Sequence, residues 1–396
     1  MAVEAAPLKQ SMNNYDTNEL VSVLTAKLQA SLPEPWLVDA AKIVLAAIAL
    51  AGFASVLAMI LVYVERKVAG HFQQRLGPMR VGPHGIFQPI ADSLKLLAKE
   101  EITPRDADRL IYNLAPLLTF VASFVCMGFI PFAPNLQAVR FNVGLLFVLG
   151  ISSMGVLGIL AAGWSSNNKW SLLGAMRAGA QIISYELSAA LALLVGVIFA
   201  GSLDFHEIVK SQEAGWWIWR APVVGLVAFI IYTIASTAEC NRTPFDIVEG
   251  ESELTAGFHT EYSSMKFAMF FLAEFLNVFI VSAISATVFL GGWMPLHIGN
   301  WEAANRIFDM IPAWIWFFGK VSALVFVVMW FRWTFPRLRV DQLMRFEWKF
   351  LMPASFATLA VAAILAASQT YFFAPERPAA PPVAPAPTKP PILANK

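Results

Sequence analysis

Residues 239–262 read ECNRTPFDIVEGESELTAGFHTEY. Six carboxylates stand there, Glu239, Asp246, Glu249, Glu251, Glu253 and Glu261, against one arginine, Arg242. The runs on either side, Ala221 to Ala238 and Phe267 to Gly291, are apolar and of the length a bilayer-crossing helix needs. A carboxylate cluster pressed against two membrane helices costs free energy unless it is solvated, paired or protonated. An ordinary solvated loop would be polar throughout. This one is interleaved with Pro244, Phe245, Ile247, Val248 and Leu254, which argues for packing.

The rest of the chain has the composition that such a reading requires. Of 396 residues, 58% are hydrophobic and 14% are charged. A soluble domain carries roughly 25% charged residues, so the composition points to an integral membrane protein of the all-α class. Eight apolar segments reach spanning length: Asp39–Val64, Leu110–Phe132, Asn142–Gly163, Ala178–Gly201, Ala221–Ala238, Phe267–Gly291, Ala313–Phe331 and Met352–Phe373. This predicts an eight-helix membrane domain over 39–373. Its loops on one side are 65–109, 164–177, 239–266 and 332–351. An even number of spans puts both termini on the same side. These loops carry seventeen Lys and Arg, against nine on the terminal side. By the positive-inside rule the loops face the cytoplasm and the termini face outward. The outer segment 1–38 has neither the basic start nor the apolar core of a signal peptide, and its residues 18–30 have the spacing of a short surface helix. The segment 374–396 is rich in Pro and Ala, a composition of extended chain.

The first of these loops adds a second element. Gly77-Pro78, Gly82-Pro83 and Gly85 demand a turning backbone. Ile86, Phe87, Ile90, Leu94 and Leu97 then recur at helical spacing, with Asp92, Lys95 and Lys99 off that face. The pattern is that of an amphipathic helix lying at the membrane interface. A surface anchor is the simplest use of such a helix. The alternative is a wall of a chamber at membrane level, with apolar side chains against an isoprenoid tail. Arg66, Lys67, Arg75 and Arg80 would then supply positive charge near a reducible head group.

Several spans carry polar stripes. Gln181, Tyr185 and Ser188 lie about one turn apart, as do Tyr232, Ser236 and Glu239, and Glu274 shares a face with Asn277 and Ser285. Isolated Ser or Tyr in a span is commonly glue between helices. Glu186, Glu239 and Glu274 are a different matter. A carboxylate beside hydrocarbon must be paired, protonated or in contact with water, and chains of such groups conduct protons. Glu249, Glu251 and Glu253 are spaced by two, and with Gly250 and Gly257 nearby they suit extended or irregular chain. Crowding makes their protonation sensitive to charge nearby. No metal site is expected. Cys126 and Cys240 have no CxxC neighbour, and the five histidines show no i, i+4 pair within a span.

The motifs ERKxxGxxQxRxGPxxxGPxGxxQPxADxxKLxxKE (65–100), YELS (185–188), AECNRTPFDxxEGESELxxGFxxEYS (238–263) and RWTFPRLRxDQLM (332–344) together resemble one family. It is the family of the H subunit of the bacterial proton-pumping NADH:quinone oxidoreductase, respiratory complex I. Its mitochondrial counterpart is NADH dehydrogenase subunit one. The resemblance covers roughly Trp36 to Phe373. It implies a subunit of the inner membrane that builds the quinone chamber with soluble partner subunits and neighbouring small membrane subunits. It implies quinone as substrate and no redox cofactor on this chain, the flavin and iron–sulfur clusters belonging to partners. It also implies contact with lipid and none with nucleic acid. The positions matching the family's quinone cavity are Glu65, Arg66, Arg75, Asp92, Arg242, Phe245 and Asp246. Those matching its acidic proton path are Glu186, Glu239, Glu249, Glu251, Glu253 and Glu274.

Related assemblies share this ancestry, and the equivalent subunit of a membrane-bound hydrogenase or of a ferredoxin- or deazaflavin-linked complex is the nearest alternative. An independent secondary transporter would need broken spans or an inverted repeat. Neither loop motif has a second copy in the chain.

Overall fold

The structure, a computed structural model, describes residues 35–213, 215–221, 223–247, 255–296 and 302–368. Every regular element among them is a helix, apart from one isolated bridge between Ala133 and Leu136. In chain order they are α1 (Pro35–Phe72), α2 (Gln88–Ala98), α3 (Arg109–Gly128), α4 (Gly144–Ser165) and α5 (Lys169–Ala200). Two short helices, α6 (Phe205–Lys210) and α7 (Trp217–Arg220), precede α8 (Val224–Glu239). Then come α9 (Ser264–Phe289), α10 (Glu302–Asp309), α11 (Ala313–Thr334), α12 (Val340–Phe346) and α13 (Met352–Ser368). A single π-helical turn, Glu347–Leu351, joins the last two, so that Val340–Ser368 is one long apolar helix. The chain is therefore an all-α, multi-pass membrane protein.

Among the described residues, seven helices are long and apolar enough to cross a membrane. The expected fifth span falls short of that length. Its helix, α8, has 16 residues. At about 1.5 Å per residue it covers roughly 24 Å, against a hydrocarbon core of about 30 Å. The apolar run begins at Ala221, directly after α7, but α8 begins only at Val224. Other boundaries also move. The helix α1 continues past Val64 to Phe72, so Glu65 and Arg66 are helical rather than in a loop. Most of the expected loop 164–177 is helix as well. Asn168 caps α5 by accepting from Trp170 N at 2.9 Å, and the Asn, Lys and Ser that look like loop in the sequence form a helix start. Between α11 and α12 only residues 335–339 lie outside a helix. The expected surface helix at 18–30 and the Pro/Ala-rich tail lie outside the described residues.

The helices α5 and α9 form the middle of the bundle and are buried over most of their circumference. The former packs on α4, α8 and α13, the latter on α3 and α11. Small residues make the approaches close, as in membrane bundles generally. A Cβ on Gly163 would stand 2.7 Å from the carbonyl oxygen of Ser171. A Cβ on Gly174 would stand 2.8 Å from the Cα of Gly257, which ties α5 to the end of the acidic stretch.

One charge in the bundle was invisible to the reading of loops and stripes. Lys320 of α11 is buried, and its Nζ donates to the carbonyl oxygens of Leu290 (2.6 Å), Gly292 (2.9 Å) and Met294 (2.6 Å). It also lies 4.2 Å from the centroid of the Trp216 ring. The ammonium thus caps the carbonyl end of α9, where the helix dipole favours a cation.

The amphipathic helix of the first loop is present as α2. Its apolar residues Ile90, Leu94 and Leu97 are exposed, along with Ile86 and Phe87 before it. Its other side is tied to the start of α9: Ser264 Oγ donates to Leu96 O at 2.9 Å, and Ile102 N donates to Ser263 Oγ at 3.0 Å. Gly85 has a positive φ of 79°, and a Cβ there would run into the carbonyl of Pro78 at 2.3 Å. The turn before α2 therefore needs glycine at this position.

Candidate functional site

Arg242 anchors the site. The chain leaves α8 at Glu239 and turns back at once, with Asn241 at a positive φ of 50°. The turn drops Arg242 into the protein, where it is 3% exposed. Its Nη1 donates to both oxygens of Glu65 on α1, at 2.9 and 3.1 Å. Its Nε lies 3.0 Å from Oε1 of Glu274 on α9. The guanidinium also sits 4.6 Å from the ring centroid of Phe275. Burial by itself would lower the Arg242 pKa, but Glu274 and Glu65 more than offset this and hold the group charged. Arg332 of α11 is a further partner of Glu65. The result is a cluster of two carboxylates and two guanidinium groups joining α1, α9, α11 and the acidic stretch. Sequence reasoning placed Glu65, Arg242 and Glu274 in the site. It missed Arg332, whose signal was its place at the head of the RWTFPRLR motif.

Glu274 also faces the other way, into a cavity of about 300 Å³ bounded by α3, α4, α5, α8 and α9 and by residues 255–259. Glu239, Tyr232, Ser123, Ser152, Asn277 and His259 share its wall with apolar side chains such as Ile182 and Phe270. Ser123 Oγ donates to Asn277 Oδ1 at 2.7 Å. Glu186 pairs with the Ser153 hydroxyl across the α4–α5 contact and stands within electrostatic reach of Glu239. Of the three intramembrane carboxylates singled out from the sequence, Glu239 and Glu274 thus line one cavity, and Glu186 stands beside it, near Glu239. Where the wall is built from loop residues, burial pushes His259 down to about 4, against an opposing pull from Asp246. His259 is therefore neutral at neutral pH.

Asp246 is buried and pairs with Arg337 at 3.2 Å. Phe245 is buried with its ring 5.5 Å from that of Tyr185. Its carbonyl oxygen accepts from Gln181 Nε2 at 2.8 Å. The remaining positions do not join the cluster. Arg66 and Asp92 form an ion pair of their own, linking α1 to α2. Arg75 is exposed and donates to Gln73 Oε1 at 2.6 Å. Glu249, Glu251 and Glu253 lie outside the described residues. The chain after them is fastened down: Ser171 Oγ donates to Phe258 O at 2.8 Å, and the rings of Tyr112 and Tyr262 stack at 4.2 Å. Among the described residues no group of three or more His, Cys, Asp or Glu is placed to hold a metal ion.

Comparison with known proteins places this arrangement in a family. Residues 44–363 match the family model described as NADH dehydrogenase. A protein of Bacteroides thetaiotaomicron described as the H subunit of NADH-quinone oxidoreductase is 51% identical over 358 residues, covering 90% of this chain and 100% of its own length. A protein of the same description from Chlorobium luteolum is 51% identical over 312 residues, covering 76% of this chain and 83% of its own length. Another from Geobacter sulfurreducens, described as H subunit 1 of that enzyme, is 45% identical over 329 residues, covering 78% of this chain and 90% of its own length. The matched region contains every element of the Arg242 cluster and of the cavity, and the chain belongs to the NADH dehydrogenase family as an H subunit of NADH-quinone oxidoreductase, respiratory complex I.

Proposed function

We propose that this subunit forms part of the chamber in which the complex binds quinone, and that it couples quinone reduction to proton translocation through its buried carboxylates. The observation that carries the proposal is the double role of Glu274. It is paired with Arg242 on one side and lines the buried cavity with Glu239 on the other. A change of charge at the loop end is thereby transmitted to acids beside the hydrocarbon over a single side chain. The reaction of the complex is NADH + H⁺ + quinone → NAD⁺ + quinol. The two electrons come from NADH through the flavin and iron–sulfur clusters of partner subunits, and this chain carries no redox group.

In this reading the quinone tail enters past the exposed apolar face of α2. The head group meets Glu65, Arg66, Arg75, Asp92, Arg242, Phe245 and Asp246, or the groups they hold in place. Quinol formation takes up two protons and alters the local charge. Arg242 then redistributes between Glu65 and Glu274, and Glu274, Glu239 and Glu186 take up and release protons in turn. Glu249, Glu251 and Glu253 connect the loop to that path. The basic loops and the acidic stretch face the cytoplasm of a bacterium, and segments 1–38 and 374–396 face the periplasm, as the distribution of Lys and Arg directs.

A photoreactive quinone tests the substrate half directly. Illumination of the purified complex should label this subunit on the segments carrying Glu65, Arg242 or Phe245, and excess quinone should abolish the label. Displaceable labelling confined to partner subunits would remove this chain from the chamber.

A further inference from the structure

One buried acid takes no part in the cluster or the cavity. Glu347 opens the π-helical turn that joins α12 to α13 and is fully buried. Its Oε1 accepts a hydrogen bond from the Ser188 hydroxyl of α5. Its Oε2 is buried and has no hydrogen-bond partner among the described residues. Burying an ionised carboxylate costs several kcal/mol unless a cation or several donors meet it. Here one hydroxyl does. A π-helical turn inside an α-helix spoils the regular hydrogen bonding and is frequent at functional sites. In this chain the irregularity falls on the buried acid of the last long helix, whose other acid, Asp341, is exposed.

The surroundings of Glu347 lead back to the loop end. One turn before it, the carbonyl oxygen of Leu343 accepts from the Tyr185 hydroxyl at 3.1 Å. Tyr185 and Ser188 share a face of α5 with Gln181. The Gln181 amide donates to the carbonyls of Ala238 (2.7 Å) and Phe245 (2.8 Å), on the two sides of Arg242. Gln181 Oε1 is itself buried without a partner among the described residues. Polar groups therefore recur at each turn of one face of α5, from the Arg242 turn to Glu347. Glu186, on another face of the same helix, reaches Ser153 instead.

We propose that Glu347 is a further proton-holding station of this subunit, reached along the Gln181–Tyr185–Ser188 face of α5 rather than through the Glu239–Glu274 cavity. The inference rests on the proton-coupling reading above. At rest the carboxyl keeps its proton on Oε2. On turnover the O–H bond breaks, the proton passes along the polar face to the loop end, where the quinone being reduced takes it up, and the Ser188 hydroxyl stabilises the carboxylate left behind by donating to Oε1. Reprotonation restores the acid. No electron moves in this step.

The test uses the assembled complex in sealed vesicles, with quinone reduction, proton uptake and the redox-difference infrared spectrum measured together. Glu347→Gln keeps the volume and a hydrogen-bond acceptor for Ser188 but cannot titrate. It should retain quinone reduction, lose proton uptake per electron, and lose a carboxylic-acid C=O band seen in the parent. Ser188→Ala should shift that band upward, and this arm decides the matter if Glu347→Gln fails to assemble. Glu239→Gln is the comparison. If Glu239→Gln abolishes pumping while Glu347→Gln pumps normally with an unchanged spectrum, this inference fails and the cavity path stands. If both variants pump as the parent does, the proton-coupling reading itself fails.

Discussion

Replacing Arg242 with methionine removes a cation that meets two buried carboxylates at once. The side chain is about as long, so the space is filled and the loss is electrostatic. Removing one partner of a buried ion pair costs about 3–5 kcal/mol, because the remaining charge is left uncompensated. Arg332 continues to hold Glu65, so the penalty falls mainly on Glu274 and should sit near the low end, about 3 kcal/mol. At about 1.4 kcal/mol per tenfold, that is roughly a 150-fold shift between native and unfolded protein. The assay is retention of this chain in the purified complex as denaturant is raised. The decisive comparison is the double variant with Glu274→Gln, which removes the orphaned charge as well. The double variant should recover about 1–3 kcal/mol relative to the sum of the single changes. Strict additivity, or an Arg242→Met protein as resistant as the parent, would refute the claim that Arg242 and Glu274 act as a unit.

Three further outcomes are expected. Since His259 is held down to about 4 against an ordinary value near 6.5, the unfolded chain binds a proton in that window that the folded chain refuses. Stability should therefore fall as pH drops from about 6.5 to 4 and should be unaffected by this group above it. His259→Asn should show a shallower acid loss in thermal unfolding of the complex. Gly174→Ala would push a methyl group into the backbone at Gly257. It should cost about 1–3 kcal/mol, read as less of this chain recovered in the complex, and alanine at the open site Gly52 serves as the control. Lys320→Met leaves the carbonyls of Leu290, Gly292 and Met294 without their donor and should cost about 1–3 kcal/mol or more, measured as a faster heat inactivation of the complex.

The long apolar runs and the positions of the intramembrane acids were legible in the sequence because hydrophobic runs and misplaced charges are local signals. Glu186, Glu239 and Glu274 stood out by type and context alone. What the sequence withheld was pairing. Arg332 lies 267 residues from Glu65, and no periodicity relates them. Arg66 and Asp92, like Arg242, matched the family's quinone cavity, yet they pair with each other at the α1–α2 contact. Lys320 and Glu347 escape notice for another reason. Lys320 looks like a lone charge in an apolar run and Glu347 like a loop acid, until the fold brings the carbonyl end of α9 to one and Ser188 to the other. The short span α8 looks longer in the sequence because hydropathy counts apolar residues, whereas helix length depends on where the backbone turns.

The central claim is that buried acids beside the lipid carry the protons that quinone reduction moves. Its most direct measurement is the proton-to-electron ratio of Glu239→Gln complex in sealed vesicles. Glutamine preserves the shape of the cavity wall but cannot take up a proton. The account predicts continued quinone reduction with a reduced ratio. An unchanged ratio at full turnover would contradict it.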